Sequence, residues 1–133
     1  MLQYSIILAD DHALVRQGIK RIIQEDQELV VMDEAVDGLE LLNLLEQSIP
    51  DMVILDISMP RLRGLEAIKL IKGLYPKVKI LILTMHKSKE YFYQAMSKGA
   101  DGYLLKDDVD QTLLSAINTI RGGENFISPQ LFG

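Results

Sequence analysis

Three carboxylates, one hydroxyl and one ammonium fall where short apolar runs of this 133-residue chain end. Asp10 and Asp11 follow the run 4–9, Asp56 follows 52–55, Thr84 follows 80–83 and Lys106 follows 102–105. Carboxylates crowded into one crevice cannot all stay ionised without a compensating cation. Hard oxygen ligands with room for water and phosphate oxygens suit Mg²⁺. A lysine adds a mobile point charge for phosphate, and a carboxylate can itself be a nucleophile that becomes an aspartyl phosphate. Phosphoryl transfer asks mainly for positioning and for neutralisation of spread negative charge. Taken singly, each residue has a plainer role: Asp10 or His12 could cap a helix, Thr84 could sit in a turn, and Lys106 could be a solvated surface charge. The combination points to a phosphoryl site.

The elements that must bring these residues together are visible in the hydrophobic pattern. The runs 4–9, 29–32, 52–55, 80–83 and 102–105 are rich in Val, Ile and Leu and do not alternate with polar residues, as in parallel strands covered on both faces. Between them lie helical faces: Val15, Ile19, Ile22 and Ile23; Leu41, Leu42, Leu45 and Ile49; Ala67, Ile71 and Leu74; Phe92, Ala95, Met96 and Gly99; Leu113, Ile117 and Ile120. Turn residues agree with those boundaries: Asp37-Gly38, Ile49-Pro50-Asp51, Tyr75-Pro76 and Lys98-Gly99. Strand and helix alternate five times. The expected fold is α/β, a doubly wound, flavodoxin-like sheet of five parallel strands in the order 2-1-3-4-5. In that order the first and third strands are neighbours at the reversal of winding, where ligands bind outside the carboxyl ends of strands. Asp10, Asp11 and Asp56 then converge.

Composition narrows the class. Fourteen Lys plus Arg against nineteen Asp plus Glu give a net charge of −5, which disfavours a phosphate-backbone footprint. With no cysteine, disulfides, thiolate metal sites and cysteine nucleophiles are excluded. No apolar run approaches the roughly 20 residues of a membrane span, and Met1-Leu2-Gln3-Tyr4-Ser5-Ile6 lacks the basic flank of a signal peptide. A cytoplasmic location is expected. Residues 1–121 read as one domain. Gly122-Gly123 stops the last helix, and the segment from Glu124 through Phe126, Ser128-Pro129 and Phe132 to Gly133 reads as the start of a linker with no element to complete.

Asp10-Asp11, Val53-Ile54-Leu55-Asp56-Ile57-Ser58-Met59-Pro60, Gly64, Thr84 and Tyr103-Leu104-Leu105-Lys106 resemble the receiver domain of bacterial two-component response regulators over residues 4 to about 121. Asp10-Asp11-His12, the stretch from Lys98-Gly99 to Lys106-Asp107, and Gly123 with Ser128-Pro129 resemble the NarL/FixJ branch. There a LuxR-type helix-turn-helix output domain follows.

The resemblance implies that Asp56 accepts a phosphoryl group from a sensor histidine kinase. It implies that Asp11, Asp56 and the Ser58 backbone carbonyl bind Mg²⁺, with Asp10 assisting through water. Lys106 would pair with Asp56 or the phosphoryl oxygens, and Thr84 would hydrogen-bond the phosphoryl group. Tyr103 would move inward as the Thr84 hydroxyl turns, making these two the switch. Homodimerisation on phosphorylation is implied, with DNA bound only through the output domain. Asp107 stands where many receivers have a proline, which favours a trans peptide after Lys106. Ser58 and His86 flank the site and bear on the lifetime of the phosphoryl group. Tyr91 and Tyr93 are expected to face outward around a buried Phe92. Two other readings remain. A Mg²⁺-dependent phosphohydrolase with an aspartyl nucleophile would need an acid two residues on, where Ser58 stands; an interaction module would not need the intact acid, Thr and Lys set.

Overall fold

The structure, a computed structural model, describes residues 3–59 and 64–132. Met1, Leu2, Pro60 and Gly133 of the stretches read above lie outside the described residues. Strands β1 (Tyr4–Ala9), β2 (Leu29–Ala35), β3 (Met52–Asp56), β4 (Lys79–Thr84) and β5 (Gly102–Leu105) alternate with helices α1 (Ala13–Ile23), α2 (Gly38–Gln47), α3 (Gly64–Leu74), α4 (Lys89–Ser97) and α5 (Val109–Arg121). All strand pairs are parallel. The order is β2-β1-β3-β4-β5-β6, the expected arrangement with one strand added.

Successive side chains of a strand point to opposite faces, and each face has its own helices. On one side Ile7, Val53, Leu55, Ile80 and Ile82 pack with Leu41 and Leu45 of α2, Ile68 and Ile71 of α3, and Phe92 and Ala95 of α4. On the other, Ile6, Leu8, Ile54, Leu81 and Leu83 meet Ile19 and Ile23 of α1 and Leu113, Ile117 and Ile120 of α5. This double burial is why the strands read as unbroken apolar runs. Ile49 and Leu74 leave the predicted faces: they are 64% and 59% exposed, because α2 ends at Gln47 and Leu74 is the last residue of α3.

Local chemistry sets the helix ends. Asp37 caps α2 by accepting the Glu40 N–H at 2.8 Å, and Glu40 returns by accepting the Val36 N–H at 3.0 Å. Ser88 caps α4 through the Tyr91 N–H at 3.1 Å. Gly99, at φ +114°, ends α4 with the left-handed residue that lets the Ala100 N–H reach the Ala95 carbonyl at 3.1 Å.

Two expectations are corrected and one is extended. β2 runs to Ala35, past the apolar run 29–32, because an outermost strand tolerates Asp33 and Glu34 at its open edge. Among the described residues the sheet keeps the five strands in the expected order and adds a sixth beside β5. Beyond Gly123 the chain is not without structure: Phe126–Ile127 forms β6 beside β5, and Pro129–Leu131 makes a 3-10 turn that buries Leu131. Hydrogen bonds from the Phe126 N–H to Asp101 (3.0 Å) and from the Ser128 N–H to Tyr103 (2.9 Å) hold it there.

Candidate functional site

The parallel register assembles the site. Ala9 pairs with Leu55, so the next residues, Asp10 and Asp56, emerge side by side. Thr84 pairs with Leu105, placing Lys106 one step beyond. Asp10 and Asp56 are fully buried. Each spends its Oδ1 on the loop that follows: Asp10 Oδ1 accepts the His12 N–H at 2.8 Å, and Asp56 Oδ1 accepts the Ser58 N–H at 3.0 Å and the Ser58 hydroxyl at 2.7 Å. Their Oδ2 atoms face Lys106, whose Nζ lies 3.2 Å from Asp10 and 3.1 Å from Asp56. One largely covered ammonium thus serves two buried carboxylates.

Burial alone would raise the Asp56 pKa. The Ser58 hydrogen bonds and the Lys106 ammonium outweigh it and hold the carboxyl below its ordinary value. For Lys106 burial works downward, but Asp56 and Asp10 prevail and the pKa is raised. The pair is ionised at neutral pH.

Asp11 is exposed at the rim. His12 stands at the N-cap position of α1 yet makes no cap hydrogen bond. Its Nδ1 is instead 3.1 Å from Asp10, 3.2 Å from Asp11 and 3.9 Å from Asp56. Donor atoms of Asp10, Asp11, His12 and Asp56 all lie within 4.8 Å of one another, close enough to hold one metal ion. Asp10 Oδ2 is buried without a hydrogen bond and has only its ionic contact with Lys106. Two buried carboxylates and a third at the solvent edge are the oxygen-rich, half-open donor set that Mg²⁺ takes.

Thr84 is buried, and its hydroxyl accepts the His86 N–H at 3.0 Å. Beside it Tyr103 is fully buried, its hydroxyl donating to the His86 carbonyl at 3.2 Å. Burial raises the Tyr103 pKa, opposed by the neighbouring Thr84 side chain. The Phe92 ring meets Tyr103 edge-on at 5.6 Å and Phe132 at 5.5 Å. Tyr91 and Tyr93 are exposed around the buried Phe92, as the sequence predicts.

The family of response regulator receiver domains matches residues 6–118. The chain belongs to that family. Oxygen regulatory protein NreC of Staphylococcus carnosus is 41% identical over 127 residues, 95% of this chain and 58% of NreC. An uncharacterised transcriptional regulatory protein of Bacillus subtilis, YxjL, is 40% identical over 119 residues, covering 90% of this chain and 55% of its own. The receiver therefore spans little more than half the length of these curated relatives. A solved LuxR-family two-component response regulator from an Aurantimonas species superposes with a TM-score of 0.90 at 34% identity, covering 98% of this chain and 93% of that one. The isolated receiver of RcsB from Salmonella enterica, with a phosphomimetic beryllofluoride, gives 0.89 at 28% identity, covering 97% and 95%. The LuxR-family neighbour supports the NarL/FixJ branch. Receiver domains typically bind Mg²⁺, and the acidic cluster here fits it.

In this receiver Asp10, Asp11, Asp56 and Lys106 lie together as the sequence predicts. Ser58 reaches Asp56 through its hydroxyl and amide, contacts that the expected carbonyl role did not anticipate. The bond between Lys106 and Asp107 is trans. Two contributors escaped sequence reasoning. His12 looked like a helix cap. Arg16, whose guanidinium donates to the Asp10 carbonyl at 2.7 Å and to Glu34 at 3.0 Å, carries no spacing or motif that sets it apart from the other cations of the chain.

Proposed function

We propose that this receiver accepts a phosphoryl group on Asp56 from the phosphohistidine of a sensor histidine kinase. The Asp56 carboxylate oxygen bonds to phosphorus as the phosphorus–imidazole bond breaks and the histidine leaves. The carrying observation is the placement of Asp56: buried, ionised, held on one oxygen by Ser58 and on the other by Lys106. Asp10, Asp11 and Asp56 would hold Mg²⁺, together with the Ser58 carbonyl. A bound Mg²⁺ supplies positive charge against the carboxylates and the phosphoryl oxygens. Lys106, freed from part of its pairing with Asp56, neutralises a phosphoryl oxygen. Thr84 turns its hydroxyl from the His86 amide to the phosphoryl group, and the packing around Tyr103 registers the change. Ser58 has no acid function two residues after Asp56, so hydrolysis of the acyl phosphate times the signal and does not turn over a substrate.

In its parent protein the domain would switch a helix-turn-helix output domain, with homodimerisation on phosphorylation and DNA bound through that output. Among the described residues no helix is long and apolar enough to cross a membrane. Incubation with acetyl phosphate and Mg²⁺, followed by mass spectrometry, tests the acceptor. One phosphoryl group is expected on the parent chain and none on Asp56→Asn, whose amide is nearly isosteric. Stoichiometric labelling of that variant would refute the assignment.

A further inference from the structure

The segment 126–128 is tied to the strand that ends in Lys106, and the tie converges on one buried side chain. Ser128 is 1% exposed. Its hydroxyl oxygen accepts the Leu105 N–H at 3.1 Å, and its proton goes to Asp108 Oδ2. Its own N–H bonds the Tyr103 carbonyl at 2.9 Å. The two hydroxyl bonds bracket Lys106, one to the residue before it and one to the residue two beyond. Asp108 is 6% exposed and stands at the N-cap position of α5, yet its carboxylate caps no amide of that helix. A carboxylate there ordinarily accepts from the first turn; this one is turned to Ser128. Between the two anchors Lys106–Asp108 forms a 3-10 turn, closed by the Val109 N–H on the Lys106 carbonyl.

We propose that Ser128 is a positioning residue for Lys106, fixing the backbone from which the ammonium reaches Asp10 and Asp56. The inference rests on the reading of Asp56 and Lys106 as the phosphoryl site. The Lys106 ammonium must meet two buried carboxylates at once, at 3.2 and 3.1 Å, so the backbone it departs from has to be held in one place for both contacts to form. Misplacement by about 1 Å, even from a change remote from the chemistry, can cost about 100-fold. The buried carboxylates that would hold Mg²⁺ are anchored separately, through the His12 and Ser58 amides. Loss of the Ser128 hydroxyl therefore affects recognition of the phosphoryl group and spares the metal.

The test uses the 133-residue chain, with Mg²⁺ alone and then beryllofluoride in saturating Mg²⁺ as calorimetric probes and circular dichroism to verify folding. Ser128→Ala is expected to weaken beryllofluoride binding by about ten-fold or more with no loss of Mg²⁺ affinity. Ser128→Cys, which is only slightly larger and bonds weakly, gives the same split and decides the matter if the alanine variant does not fold. Ser128→Thr, which keeps the hydroxyl, restores the parent affinity. Parent-like beryllofluoride binding in the folded Ala or Cys variants would overturn the proposal. So would an equal loss of Mg²⁺ affinity, which marks general loosening of the pocket, or failure of folded Ser128→Thr to rescue. No beryllofluoride binding by the parent would overturn both this role and the phosphoryl site itself.

Discussion

The two ends of the sheet use the same residue type in opposite ways. At the amino end, Asp51 accepts the Ser5 N–H at 2.8 Å and the Ser5 hydroxyl at 3.1 Å. Asp101 accepts the Ile80 N–H at 2.9 Å and pairs with Lys72 at 2.8 Å. Parallel strands begin with free N–H groups, so a carboxylate there finds backbone donors and becomes a structural tie. Near Asp51, Ile49, Leu74, Tyr75, Pro76, Lys77 and Val78 line a mainly apolar groove of about 320 Å³ that offers no carboxylate to a cation. At the carboxyl end the strands present carbonyls. Asp10 and Asp56 obtain one loop amide each, and their remaining oxygens depend on Lys106. A buried carboxylate short of donors is a place for a cation. The end of the strand, more than the residue, decides whether an aspartate ties or binds.

Neutralising one lysine at each end breaks the comparison most directly. Lys106→Met leaves two buried carboxylates facing no cation and should destabilise the metal-free domain by about 3 kcal/mol. Lys72→Met leaves Asp101 with the Ile80 amide and Lys79 and should cost about 1 kcal/mol or less. Urea unfolding measures both, and equal losses would erase the distinction. Mg²⁺ should recover part of the first loss and none of the second. The pH dependence has a definite sign. Asp56 has a lowered pKa, so its stabilisation is complete above the ordinary carboxylate range and is lost as pH falls through the lowered value. Lys106 has a raised pKa, so its share persists below the ordinary lysine value and is lost only as pH climbs through the raised one. Lys106→Met should flatten both limbs.

Asp11→Ala sharpens the contrast from the metal side. It should weaken Mg²⁺ binding by about ten-fold, since Mg²⁺ leans on one or two carboxylates, and relieve like-charge crowding in the metal-free protein. Asp51→Ala should leave Mg²⁺ affinity alone. Melting temperature followed through a Mg²⁺ titration reads both; parent-like affinity in Asp11→Ala would remove that residue from the proposed coordination.

The smallest effect is optical. Burial, and then the charge of Asp51, push the Tyr4 phenol up to about 12, against the opposing pull of Arg121. Of the five tyrosines, Tyr4 should therefore ionise near the end of an alkaline absorbance titration. Asp51→Asn should bring its midpoint down. An unmoved midpoint would show that Asp51 exerts no field at the amino end.

Much of this molecule was legible as pattern. Strands covered on both faces have to be apolar throughout, and that made the runs and the residues ending them, Asp10, Asp56, Thr84 and Lys106, readable without coordinates. The differences have a common cause. β6 is two residues long, with Ile127 41% exposed, so no periodicity announces it; its stability comes from the Asp101 and Tyr103 carbonyls, which it meets only once β5 is in place. Ile49 and Leu74 fit helical spacing but lie beyond or at helix ends, where spacing no longer determines burial.

The sequence by itself determined which groups stand at the carboxyl ends of the strands, because a five-fold β-α alternation with buried strands leaves few ways to wind the sheet. Tertiary structure decided what each group does there. It turned the His12 ring from capping α1 toward three carboxylates, gave one Lys106 to both Asp10 and Asp56, and set the Thr84 hydroxyl against the His86 amide. It also brought Ser128 to Asp108 across 20 residues of chain. These are choices of hydrogen-bond partner among groups far apart in sequence, made by burial and distance, and spacing along the chain carries no record of them.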